Sequence, residues 1–95
     1  MNNSDSNQSS ERILQLRQQI DRLDEQISKL LLQRFEIAVA LGNLKSEAGL
    51  PVKDAHREED VLERVSASLS SSPLSTRVLK LYERILQECR DAQNT

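Results

Sequence analysis

RILQLRQQIDRLDEQISKLLLQRFEIAVALGNLK, running from Arg12 to Lys45, is the stretch that decides the fold. Within it Leu16, Ile20, Leu23, Ile27, Leu30, Ile37, Leu41 and Leu44 follow one another in steps of four and three. That spacing is a heptad seam on one face of a helix. The one seam position between Leu30 and Ile37 is Arg34. An arginine there must be desolvated, paired or put to use, because burying a bare charge costs roughly several kcal/mol. Neither Gly nor Pro interrupts the run before Gly42. At about 1.5 Å per residue, these 34 residues predict a rod of about 50 Å.

The rest of the composition limits what such a rod can belong to. A chain of 95 residues and 10.8 kDa makes one domain with a small core. A rod longer than so small a domain is wide cannot cover its own seam, which implies an oligomer, most simply a two-fold dimer. Charged residues make up 29% of the chain, yet the net charge is only −2, which argues against a nucleic-acid partner. Gly and Pro are scarce, and Phe35 and Tyr82 are the only aromatics, so an all-α fold is favoured over a sheet. Cys89 is the only cysteine and His56 the only histidine. An intrachain disulfide is therefore impossible and a His/Cys metal site is disfavoured. The N-terminus is polar and no run is apolar enough for a signal peptide or a membrane span, so a reducing cytoplasm is the default location.

Outward from the rod, residues 1–10 (MNNSDSNQSS) lack periodicity and read as a disordered arm, leaving 11–95 as the folded domain. The first helix is expected from near Glu11 to near Glu47. Ala48-Gly49-Leu50-Pro51-Val52 is a turn, with Gly49 suited to a left-handed C-cap and Pro51 unable to continue a helix. Asp54 reads as the N-cap of a second helix reaching about Leu69, with Glu58 and Glu59 near its first turn. Its apolar stripe is Val61, Leu62, Val65 and Leu69, and one turn back from Val61 and Leu62 lies Glu58. A serine-rich loop follows, and Pro73 is placed to open a third helix reaching about Ala92. Its stripe runs from Leu74 through Val78, Leu81 or Tyr82, and Ile85 to Cys89 and Gln93.

Each helix thus carries polar groups on the face that should be dry: Arg34 and Lys45, Glu58, and Cys89 with Gln93. Arg34 and Lys45 are eleven residues apart, which at ~100° per residue leaves them within about 20° in azimuth and some 16 Å along the axis. Two long cationic side chains can clasp a small dianion across that gap. Arg17 lies 17 residues before Arg34, about 25 Å away and about 100° around the helix, too far for one small ligand to touch both on one rod. In an antiparallel dimer Arg17 of one chain can approach Arg34 and Lys45 of the other, which suggests a shared site.

Every one of these residues has a plainer reading. Arg34 alone is more simply an ion pair with Glu58 or Asp54, or a snorkelling side chain. Lys45 suits a helix C-terminus and Glu58 a helix N-terminus. Arg17 alone is an ordinary solvated flank residue, Gln93 sits near a fraying end, and Cys89 is most often a small apolar filler. The conjunction favours a site, since a purely structural coiled coil has no reason to put a cation, a carboxylate and an amide on three dry faces.

The segments LRQQIDRLDEQISKLLLQRFEIAVALGNLK, LPVKDAHREEDVLERV and ILQECRDAQ resemble the all-α class of chorismate mutase over roughly residues 11 to 93. The resemblance implies three helices, one very long, in an intertwined homodimer with two shared active sites. By position, Arg17 resembles the arginine that reaches in from the partner chain. Arg34 matches the arginine that binds a substrate carboxylate, and Lys45 the lysine at the breaking ether oxygen. Asp54, Arg57 and Glu58 match a loop aspartate and an arginine–glutamate pair, the glutamate meeting the ring hydroxyl of the substrate. Gln93 matches a glutamine at the ether oxygen. Cys89 stands where some members have a small hydroxyl residue that helps hold a carboxylate, and a thiol is a weaker donor. His56 receives no role.

The implied reaction, chorismate to prephenate, is an intramolecular rearrangement that needs no nucleophile, metal or cofactor. It needs a flexible dicarboxylate held in its reactive conformer and donors aimed at the ether oxygen. The alternatives are an isochorismate-pyruvate lyase of the same fold and a non-enzymatic helical dimerisation module. The Asp54-x-x-Arg57-Glu58 segment favours the mutase over the lyase, and the polar groups on dry faces favour an enzyme over a bare module. With Thr95 as the last residue, a free-standing enzyme is the simpler expectation than a remnant of a fused one.

Overall fold

The structure, a computed structural model, describes residues 3–94, with side chains from Asn7 onward. Its elements are α1 (Asn3–Ala48), α2 (Ala55–Ser68) and α3 (Ser75–Gln93), and no strand occurs among the described residues. The expected all-α fold of three helices, one very long, is what the chain forms. Among the described residues no helix is long and apolar enough to cross a membrane.

The first helix starts earlier than its expected beginning near Glu11. Met1 and Asn2 of the expected arm lie outside the described residues, and from Asn3 the backbone is already helical. The stretch to Ser10 contains no Gly or Pro, and adding a residue to a nucleated helix is far easier than starting one.

The chain divides into two units, meeting between Gln33 and Arg34. The first is the N-terminal part of α1. Its seam residues, Leu16, Ile20, Leu23, Ile27 and Leu30, are all exposed, Leu30 to 64%. The second unit holds the remainder of α1 with α2 and α3.

In the second unit α1 ends in a Schellman arrangement. Gly49 takes φ 71°, the left-handed region open to glycine. The Leu50 N–H donates to the Lys45 carbonyl (2.8 Å) and the Gly49 N–H to the Ser46 carbonyl (3.2 Å). Asp54 then caps α2 as expected. Its backbone is extended, and its side chain accepts from the Arg57 N–H at 3.0 Å.

The third helix begins at Ser75 and not at Pro73. Ser72 to Ser75 instead close a turn, in which the Ser75 N–H donates to the Ser72 carbonyl at 3.1 Å. Pro73 occupies the second position of that turn, where its fixed φ is favourable, and Leu74 follows at φ −87°, ψ −9°. The Ser72 hydroxyl accepts from the Leu74 N–H (3.1 Å), giving this helix start a serine partner.

The buried core is small: Ala38, Leu86 and Cys89, with Gly42 buried beside them. The stripe of α1 that lies against α3 is thus Arg34, Ala38, Gly42 and Lys45, spaced by four, four and three. The neighbouring seam residues Ile37, Leu41 and Leu44 remain exposed, Ile37 to 68%. Small residues at Ala38 and Gly42 let α3 approach closely, and the two cations bracket that approach.

Candidate active site

Arg34 sits half-buried where α1 faces α3. Its Nη1 donates to Cys89 Sγ at 3.0 Å, and its guanidinium carbon lies 5.7 Å from the centroid of the Tyr82 ring. The ion pair with Glu58 or Asp54, the plainer expectation, does not form. Both contacts to Arg34 come from α3, and neither is a carboxylate, so its charge is not neutralised by a direct ion pair. Lys45, at the far end of the same stripe, donates from Nζ to the Val52 carbonyl at 2.9 Å. The loop after α1 therefore holds the ammonium in place through a neutral acceptor.

From α2, Asp54 and its cap bring Arg57 and Glu58 into the first turn. Glu58 is part-buried and paired across to α3, where Arg90 Nη1 donates to both of its carboxylate oxygens. The side chains of this pair are only 26% and 22% exposed, so solvent screens it less than a surface ion pair.

Near the end of α3 stands Gln93, whose Oε1 is buried without a hydrogen-bond partner. A buried amide group left unpaired costs about 1–3 kcal/mol, so such an atom calls for a ligand or solvent partner. Gly42 is what lets Gln93 sit there, since the side chain and Cα of Gln93 lie in the space a Cβ on residue 42 would take.

These residues surround one cavity of about 290 Å³. Arg34, Lys45, Asp54, Arg57, Glu58, Cys89 and Gln93 all line it, so seven of the eight site residues read from the sequence converge from three helices and a loop. Apolar walls come from α1 (Ile37, Ala38, Leu41), from Val52 and Val61, and from Leu86. Arg90 lines it as well, giving four cationic side chains against two carboxylates. The eighth residue, Arg17, belongs to the first unit and is not among the lining residues. His56 faces outward and pairs with Asp60 on its own helix at 3.4 Å.

Two residues of this site escape the sequence reading. Arg90 is three residues before Gln93 and shares its face, a spacing that could have flagged it as the partner Glu58 needs. Gly42 sits mid-helix, where glycine is unfavourable without a packing reason, and that was its available signal.

The family model for chorismate mutase type II matches residues 16–94. The chain is 35% identical over 77 residues to the bifunctional chorismate mutase/prephenate dehydratase of Escherichia coli (strain K12), a match covering 80% of this chain and 20% of that protein. It is 23% identical over 84 residues to the chorismate mutase of Methanocaldococcus jannaschii, covering 87% of this chain and 85% of that one. Among solved structures, a conserved hypothetical protein from Pyrococcus furiosus superposes with a TM-score of 0.68 at 40% identity, covering 82% of this chain and 90% of that one. The chain spans a fifth or less of the length of the bifunctional relatives it matches. A family match over most of its length, carried on a three-helix fold, places this chain in the chorismate mutase type II family.

Proposed function

We propose that this chain is a chorismate mutase, converting chorismate to prephenate without a cofactor, at a site completed by Arg17 of a second copy. The observation that carries this reading is the charge of the cavity. Four cations face two carboxylates, and one of those carboxylates, Glu58, is already paired. The remaining excess suits a small dicarboxylate.

Chorismate carries one carboxylate on its ring and one on an enolpyruvyl side chain joined through an ether. The rearrangement breaks the ether C–O bond and forms a C–C bond within the same molecule. Arg34 and Arg57 are the cations that hold the carboxylates and fold the side chain over the ring. Fixing that conformer removes an entropic part of the barrier. Lys45 and Gln93 donate to the ether oxygen as negative charge grows on it. Lys45 is held for this by Val52, and the Gln93 amide has one end without a protein partner. Its oxygen and nitrogen exchange places by a half-turn of the amide, so the NH₂ can face the ether. Glu58 accepts from the ring hydroxyl, and Cys89 supports Arg34 from behind.

The homodimer rests on the exposed seam. Residues from Ile13 to Leu44 leave a long series of large apolar side chains in water, which a soluble monomer rarely does. A second copy of the same helix covers them with the same heptad pattern. Arg17 flanks the first half of that seam and would enter the partner's cavity.

The deciding assay mixes purified protein with chorismate and follows loss of substrate and appearance of prephenate. Catalysed formation of prephenate is the expected result. A rate no higher than the uncatalysed one overturns the reading, and pyruvate release from isochorismate would assign the lyase activity instead.

A further inference from the structure

We propose that Arg90 is a positioning residue for Glu58, and that the ability of Glu58 to accept from a ligand hydroxyl depends on its being held by Arg90. The inference deepens the mutase reading and rests on it for the identity of the ligand.

Glu58 stands in the first turn of α2 and Arg90 near the end of α3, and both line the cavity. Arg90 Nη1 donates to both oxygens of the Glu58 carboxylate. Arg34 is engaged with Cys89 and Tyr82 and Lys45 with the Val52 carbonyl, while Arg57, which also lines the cavity, makes no ion pair with Glu58. Arg90 is therefore the group that fixes Glu58.

Two consequences follow from that contact. An ionised carboxylate held by a guanidinium accepts hydrogen bonds and donates none, and its oxygens keep lone pairs for a further donor. A ligand hydroxyl is such a donor, whereas a ligand carboxylate is repelled. Without Arg90, the flexible Glu58 side chain would be free to turn toward Arg34 or Arg57. It would then neutralise the cations that a dianionic ligand needs. Arg90 thus both aims the acceptor and keeps it off the carboxylate-binding arginines.

The test compares chorismate with its analogue lacking the ring hydroxyl, in wild type, Arg90→Met and Arg90→Lys. Wild type is expected to favour the hydroxylated ligand by roughly 10- to 100-fold in kcat/KM, the range of a charge-assisted hydrogen bond. Arg90→Met should lose most of that preference, and Arg90→Lys, which keeps a cation, should recover part of it. A merely structural α2–α3 tie would lower both substrates equally, and an unchanged preference in Arg90→Met overturns the proposal. If Arg90→Met fails to show the helical circular dichroism of wild type, the Arg90→Lys comparison decides on the same criterion. Calorimetric binding of the same two ligands separates this inference from the mutase reading. A wild type that binds with hydroxyl preference but does not turn over chorismate sinks the mutase activity and leaves the role of Arg90 standing. A wild type that binds neither ligand overturns both.

Discussion

Gln93 lies directly over Gly42: a Cβ built on the glycine would meet Gln93 Cβ at 2.8 Å, Cγ at 2.9 Å and Cα at 3.1 Å. Contacts to Cβ and Cα cannot be relieved by swinging a side chain away. In a helix interior glycine is less stable than alanine by about 1 kcal/mol, so Gly42→Ala should strengthen α1 while pushing the end of α3 outward. The expected result is a kcat lowered at least about tenfold, with helix content kept and the melting temperature within a few degrees of wild type. Steady-state kinetics and a thermal melt on the same sample check it. An unchanged kcat would show that Gly42 does not seat Gln93.

Much of this was legible from local rules. The heptad steps, the Gly49 turn and the Asp54 cap are sequence-local, and each reappears in the structure. Arg34 and Lys45 could be related because one helix sets their azimuths. What local rules do not carry is the pairing between helices. Glu58 was recognisable as a carboxylate on a dry face, but its choice of Arg90 over Arg34 depends on how α2 and α3 pack. The seam also invites one misreading, since it makes Arg34 look like a flaw in an oligomer face. Arg34 instead begins the stripe with Ala38 and Gly42 that faces α3, while Ile37, Leu41 and Leu44 stay exposed. Two adjacent stripes, one facing α3 and one left exposed, are hard to separate by periodicity when they lie a residue apart.

Arg34 and Lys45 are the two cations whose loss should be felt most. Each is held by a neutral acceptor, Cys89 Sγ or the Val52 carbonyl, so removing either breaks no ion pair. Arg34→Ala and Lys45→Ala are each expected to lower kcat/KM by about 10²–10³, the usual cost of losing one aimed charge donor. Size-exclusion chromatography should give the same elution volume as wild type. A loss of activity accompanied by dissociation would assign these residues to assembly.

Cys89 is 4% exposed and accepts from Arg34, so its part in the site is to support the guanidinium. Cys89→Ser keeps an acceptor of similar size and adds a better donor. Its kcat/KM should stay within about threefold of wild type or rise, whereas Cys89→Ala, which leaves Arg34 without that acceptor, should fall about tenfold. Iodoacetamide should label the native protein slowly because the thiol is buried. Rapid labelling without loss of activity would contradict both the burial and the contact.

Asp54 tests a different link, from cap to site. Its side chain accepts from the Arg57 N–H, and its carbonyl accepts from the Glu58 N–H at 3.0 Å. Removing the cap with Asp54→Ala should cost about 1 kcal/mol of stability, and Asp54→Asn, also a good N-cap, only a few tenths. Denaturant unfolding gives the stabilities. If Asp54 acts only through the cap, activity should follow the same order. An inactive but stable Asp54→Asn would show that the carboxylate itself meets the ligand.

Arg17 is the residue on which the proposed shared site depends. It lies in the first unit and does not line the cavity, whose lining residues run from Arg34 to Gln93. If a second copy supplies it, Arg17→Ala and Arg34→Ala chains are each inactive alone but complement each other. Random exchange makes half of the dimers mixed. Each mixed dimer has one site with both arginines and one with neither, so the mixture should reach about a quarter of wild-type activity. Chains mixed without exchange should show none, which controls for slow assembly. Exchange confirmed by mass spectrometry but giving no recovered activity would mean that Arg17 does not act across the interface. The exposed seam would then serve assembly alone.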